Sequence, residues 1–238
     1  MKTVFHSHQS RGHANHGWLN SYHSFSFANY FNAQKMNFGL LRVLNDDTVA
    51  PGMGFGTHPH DNMEIISIPL SGDLKHRDSM GNEKTIKEGE LQVMSAGSGV
   101  THSEFNPNQS SEAKFLQIWI VPNKRDVLPR YDQQLLPDLS NKNYLHQVLS
   151  PNADDAGVWI HQNAWFHIGL FDEHEVVQYP WKSPTNGLYA FVLEGEFDLG
   201  DHTLGHRDAL GIWDTNEITI KATAKDSRIL LIEVPLTN

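Results

Sequence analysis

The sequence contains no cysteine among its 238 residues, which excludes disulfides, thiolate metal sites and a cysteine nucleophile together. Positive charge is scarce as well: 18 Lys and Arg stand against 28 Asp and Glu, a formal charge of −10. That balance repels a phosphate backbone, and no local basic cluster offsets it, so direct nucleic-acid binding is excluded. Long hydrophobic runs are missing too. The longest, such as Ile229 to Ile232, are strand-sized, far below the roughly 18 residues of a membrane span, so no membrane partner is expected. The opening Met1-Lys2-Thr3-Val4-Phe5-His6 has no apolar stretch of signal-peptide length, and with no bridges the cytoplasm is the expected compartment. A packed core is still affordable, since 39% of residues are hydrophobic and 10% aromatic.

Short runs rich in Val, Ile, Leu, Phe and Tyr recur, each bounded by Gly, Asn, Asp or Pro. They include Gly39 to Leu44, Glu64 to Leu70, Leu91 to Met94, Phe115 to Val121, Tyr189 to Leu193 and Ile229 to Val234. Turn residues separate them at Asn45-Asp46-Asp47, Ser71-Gly72-Asp73, Gly81-Asn82, Ser95 to Gly99 and Leu199-Gly200-Asp201. No long segment has helical periodicity, and the best short helical candidate is Arg130 to Leu135. The pattern predicts an all-β sandwich or barrel. It also repeats: Ile66 to Leu74 echoes Tyr189 to Phe197 at an offset of 123, and Phe115 to Pro122 echoes Arg228 to Pro235 at 113. Two β domains in tandem follow, over residues 1–131 and 132–238.

Histidine is the surplus, with 15 copies. It is the commonest metal ligand, so spacing decides what the surplus means. In Gly52-Met53-Gly54-Phe55-Gly56-Thr57-His58-Pro59-His60-Asp61-Asn62-Met63-Glu64, two histidines stand two apart. On a strand they share a face, roughly 6–7 Å apart at Cα, and can converge on one ion. Pro59 between them is tolerable at a strand edge, and Asp61-Asn62 supplies a turn before Glu64 opens the next strand. In Ser95-Ala96-Gly97-Ser98-Gly99-Val100-Thr101-His102-Ser103-Glu104, His102 and Glu104 form a second pair with the same spacing. Together the pairs offer three imidazoles and a carboxylate, with neighbouring coordination positions left open. His6-Ser7-His8 has the spacing without a second pair and reads as a strand with exposed imidazoles. His13, His16 and His23 read as core hydrogen-bonding groups, His202 and His206 as surface, and His161 and His167 as structural.

These motifs, with Arg11-Gly12-His13-Ala14-Asn15-His16-Gly17-Trp18-Leu19 and Ser24-Phe25-Ser26-Phe27, resemble the pirin family of bicupins. The resemblance runs from about Arg11 to Pro235 and is strongest to the short bacterial pirins with quercetinase activity. It implies two cupin domains, one metal in the first, and a dioxygenase that cleaves flavonols such as quercetin with dioxygen, releasing carbon monoxide. The ligands it implies are His58, His60, His102 and Glu104. Many cupins use the glutamate at the position of Glu64 as ligand instead. Here Glu104 is expected to be the ligand and Glu64 to orient a ligand imidazole, and either is a candidate for the base that takes the substrate proton. The offset of 123 carries His58, His60 and Glu64 onto Trp181, Ser183 and Gly187, so the second domain is expected to hold no metal. The donors accept Fe, Mn, Co, Ni, Cu or Zn, and Fe(II) is preferred for its redox chemistry. Phe55, Met63 and Met94 are expected to line the substrate pocket. A monomer is expected, and a protein partner is kept open. The rival readings are a metal-bound, redox-sensing transcription cofactor without turnover, and a cupin isomerase or scaffold.

Overall fold

The structure, a computed structural model, describes residues 1–237. Among these the chain is all-β, with strands joined by turns, one short 3-10 turn at His8–Ser10 and no α-helix. No helix is therefore long and apolar enough to cross a membrane. The chain divides into two compact units, one of residues 12–136 with 158–162, the other of residues 1–11, 137–157 and 163 onward.

The first unit pairs a large and a small antiparallel sheet. The large sheet runs Arg130–Leu135, Glu90–Ser95, Glu64–Ser71, Ala113–Ile120, Leu41–Val49, Leu19–His23 and Gly12–Asn15. The small sheet runs Gly54–His60, Val100–Phe105, Leu74–Asp78 and Glu83–Ile86. Central strands read as near-continuous apolar runs because both faces are covered: Phe115, Leu116, Ile118 and Ile120 are all fully buried. The inner face carries Leu19, Val49, Leu74, Ile86 and Phe115 at one end and Ile65, Met94, Ala96 and Val100 at the other.

The second unit repeats this plan. Lys2–His6, Ala209–Trp213, Asn186–Glu194, Ser227–Pro235, Trp165–Phe171 and His146–Ser150 follow one another in its large sheet. Val176–Pro180, Glu217–Ala222, Phe197–Leu199 and His202–Leu204 make the small one. In Glu217–Ala222 the alternation is complete, with Ile218, Ile220 and Ala222 buried and their neighbours exposed. Glu64–Ser71 and Asn186–Glu194 occupy the same place in their sheets, as do Ala113–Ile120 and Ser227–Pro235, so the sequence repeat is a structural one.

Three local expectations fail. Arg130–Leu135 is an edge strand, laddered from Arg130 opposite Ser95 to Leu135 opposite Glu90. Its conformation is set across strands, where Gln133 Nε2 donates to the Thr85 carbonyl at 3.0 Å and to Glu90 Oε2 at 2.7 Å. Asn45-Asp46-Asp47 is not a turn but the middle of Leu41–Val49, with Asn45 and Asp47 buried on its inner face. Similarly, His6 is not an exposed imidazole: it is buried, with Nδ1 2.9 Å from the Tyr189 hydroxyl.

Candidate metal centre

Gly54–His60 is the edge strand of the small sheet of the first unit, so Pro59 needs no ladder donor. It lies beside Val100–Phe105 with His58 directly opposite His102. Beyond this pair the register slips, because Glu104 faces Phe55 and the edge strand carries one extra residue at Gly56-Thr57. Such a bulge bends a strand and re-aims its side chains. Gly54 lets the strands close here, since a Cβ on it would sit 2.2 Å from the Glu104 carbonyl oxygen. At the other end the turn that launches His102 needs Gly97, whose φ is +48° and whose Cβ would meet the Val127 carbonyl oxygen at 2.0 Å.

Three imidazoles converge as a result. The ring centroids of His58, His60 and His102 lie 4.4 to 5.0 Å apart, and one nitrogen from each falls within 4.8 Å of the others. His58 Nδ1 is 2.8 Å from the Gly56 carbonyl oxygen. A carbonyl only accepts, so that nitrogen carries the proton and Nε2 presents a lone pair. His102 is 2% exposed, and neither of its ring nitrogens has a hydrogen-bond partner. Burial, then the His58 and His76 rings, pushes its pKa down to about 3. Burial and the other two imidazoles hold His60 down at about 4. The His60 and His102 rings are thus neutral lone-pair donors at neutral pH, the form a divalent metal binds.

Glu104 is buried beside them. Its Oε1 accepts from Ser67 Oγ at 3.1 Å and its Oε2 from Gln117 Nε2 at 2.8 Å. It shares a potential ligand group with His102 and His76, so His102 joins it to the imidazole triad. His76 has no forerunner in the sequence reading. It stands opposite Glu104 across the ladder, fully buried, with Nε2 3.0 Å from Asp78 Oδ2. Only the pairing of two strands distant in sequence reveals it.

Glu64 is not brought to this group. Ser67 turns inward to Glu104, and Glu64, an odd number of positions away on the same strand, faces the other way. Its Oε2 accepts from Ser95 Oγ at 2.6 Å, and it also accepts the His161 backbone N–H. Burial pushes its pKa up to about 7 against these two hydrogen bonds and the nearby Arg130 charge. No ligand imidazole is among its partners, so the expected role of Glu64 in orienting one, or in taking a substrate proton, has no contact to act through.

The cluster opens into a cavity of about 550 Å³. Trp18, Leu19, Phe27, Phe55 and Trp119 give it apolar walls, and Trp119 meets His60 edge-to-face at 4.9 Å. Phe55 is there as expected, but Met63 and Met94 are not; they pack with Ile65, Ala96 and Val100. His13, His16 and His23 also line the cavity, and the first two are exposed rather than core groups. His13 stacks on Tyr22 at 4.6 Å. Asp47 faces the same space, buried, bonded by the Ser21 hydroxyl, and lifted to about 7 chiefly by burial.

Two family models match the chain: that for pirin over residues 4–120 and that for the quercetinase C-terminal cupin domain over residues 147–234. The chain is also 42% identical over 227 residues to a quercetin 2,3-dioxygenase of Escherichia coli (strain K12), covering 94% of this chain and 95% of that protein. The chain belongs to the pirin family. Its two units are therefore cupin domains in tandem. A crystal structure of the bacterial pirin YhhW from Escherichia coli, in complex with nickel(II), superposes with a TM-score of 0.92 at 38% identity, covering 98% of this chain and 99% of that one. A quercetin 2,3-dioxygenase structure from Acinetobacter baumannii, at 22% identity and a TM-score of 0.75 over 98% of this chain and 79% of that one, supports the pirin fold alone.

Proposed function

We propose that this pirin is a metal-dependent dioxygenase acting on flavonols, with one divalent ion held by His58, His60, His102 and Glu104 in the first unit, residues 12–136 with 158–162 rather than the expected 1–131. The observation that carries this reading is His102. A buried imidazole with both nitrogens unpartnered, flanked by two further imidazoles and a buried carboxylate, is costly unless something binds there. The donor set suits a first-row divalent ion, Fe(II) in our reading, and the nickel complex of the related pirin supports the same class. The second unit, where the sequence offset puts Trp181 and Ser183 in place of the first two histidines, is read as metal-free.

When bound, the ion supplies Lewis-acid stabilisation of a deprotonated substrate hydroxyl and a redox partner for dioxygen. The protein residues do the rest. Trp18, Phe27, Phe55 and Trp119 enclose a flat aromatic substrate and exclude water, in a cavity within the roughly 300–1,000 Å³ typical of small-molecule sites. Ser67 and Gln117 donate to opposite oxygens of Glu104, fixing the plane of its carboxylate. Glu104 thereby meets the substrate hydroxyl at the inner end of the cavity and takes its proton.

The test is dioxygen uptake and flavonol loss, with metal content, for the wild type and His58→Ala. Loss of metal and turnover together is the expected result. Equal rates in the two proteins would remove the dioxygenase reading, and a metal-loaded wild type without turnover would favour the regulatory one.

A further inference from the structure

The C-terminal unit has a cavity of its own, of about 250 Å³, where Leu145, Val177 and Pro180 give apolar wall, Gln147 and Gln178 add amides, and His167 and Lys182 bring the basic nitrogen atoms. His167 sits on the inner face of Trp165–Phe171, opposite Leu231 in the ladder, and is 5% exposed. Its Nδ1 has no hydrogen-bond partner. Two neighbouring polar groups are committed elsewhere. Tyr179 meets the imidazole edge-to-face at 5.0 Å, but its hydroxyl donates to Glu233 Oε2 at 2.8 Å. Glu233 is saturated in turn by the backbone N–H groups of Lys182 and Ser183 and by Asn186 Nδ2, all at 3.0 Å.

Lys182 adds charge. Its backbone is tied to Glu233 while its side chain lines the cavity, and among the described residues its ammonium makes no ion pair. It is close enough to join burial in pushing the His167 pKa down to about 3, so the imidazole is neutral and offers one N–H and one lone pair. Lys182 is exposed and its ammonium stays hydrated, so the unsatisfied group is the buried His167 ring nitrogen; beside that cation and the apolar walls it suits an anionic head on an apolar body. The volume is below the roughly 300–1,000 Å³ of sites for drug-sized ligands and suits a single ring.

We propose that this cavity is a second small-molecule site, which binds a compact carboxylate with an aromatic or branched apolar part. The carboxylate meets Lys182 Nζ and His167, and the apolar part packs on Leu145, Val177 and Pro180. The site belongs to the C-terminal unit alone and does not depend on the reaction assigned to the first.

The probe is 4-fluorobenzoate, followed by ¹⁹F NMR titration of the metal-loaded, full-length protein. Because a carboxylate can also coordinate a metal, the titration is repeated on full-length His102→Ala. Lys182→Met removes the charge and retains the backbone N–H that holds Glu233; His167→Phe removes both nitrogens and keeps a ring. Thermal unfolding checks that each variant is folded. The expected result is saturable binding by wild type and by His102→Ala, weakened at least tenfold in Lys182→Met and His167→Phe. In protein labelled with ¹⁵N-histidine, His167 Nδ1 should shift on titration. The proposal is overturned if wild type does not bind, if Lys182→Met binds as well as wild type, or if His102→Ala abolishes binding. It is equally overturned if the neutral 4-fluorobenzamide binds as tightly as the acid.

Discussion

Replacing Glu64 by Gln separates the two glutamates that the motifs offer. The side chain is 1% exposed, and its pKa is pushed up to about 7 from 4.5 by burial. An unfolded chain gives up this proton near pH 4.5, whereas the folded protein keeps it until about pH 7. Across that window the native state binds more protons, so stability falls as pH rises, and the whole cost is in place above pH 7. The difference between about 7 and 4.5 corresponds to about 3 kcal/mol at most, and local relaxation of the site reduces it toward about 2. Glutamine cannot ionise, and it fits the site: its carbonyl accepts the His161 N–H while the Ser95 hydroxyl turns to accept from the amide. Glu64→Gln should therefore match wild type near pH 4.5 and exceed it at pH 8 by about 2 kcal/mol, or about 4–8 °C in Tm. Circular dichroism melts at the two pH values measure this, with metal content determined on the same samples. Loss of metal from Glu64→Gln, or an equal Tm change at both pH values, would refute the placement of Glu64 away from the ligands.

Glu104→Gln should do the opposite, lowering metal affinity by at least about 100-fold in a competition titration, because it removes the one carboxylate grouped with these imidazoles among the described residues. Asp47→Asn should raise Tm at pH 8 and leave it unchanged near pH 4, by the same sign argument, since burial lifts that carboxyl to about 7 from 3.8. Gly97→Ala should cost about 2–4 kcal/mol in chemical denaturation, with metal affinity falling as well, because it forces a left-handed φ and a clash with the Val127 carbonyl in the turn before His102.

What was legible in the sequence was local. Residues two apart on a strand share a face whatever surrounds them, so His58 with His60 and His102 with Glu104 could be paired before any fold was known. Turn chemistry worked wherever one residue needs a left-handed φ, as at Gly72, Gly81, Gly97 and Gly200. It misled at Asn45-Asp46-Asp47, where Asn45 and Asp47 sit inside a strand because their side chains face a cavity rather than solvent. Arg130–Leu135 misled for a related reason: its polar residues are satisfied by partners on other strands, and propensity is blind to those.

The amino-acid sequence alone determined the strand-rich class, the duplicated plan and the two candidate donor pairs, since each follows from period, punctuation or spacing along one stretch of chain. Tertiary structure decided the rest: that Glu64 turns away, that His76 stands behind Glu104, and that His13 and His16 rim the cavity. These depend on which face of each sheet closes on the other and on register between strands far apart in sequence. A shift by one residue inverts every side chain on a strand, and only packing across the whole domain fixes it.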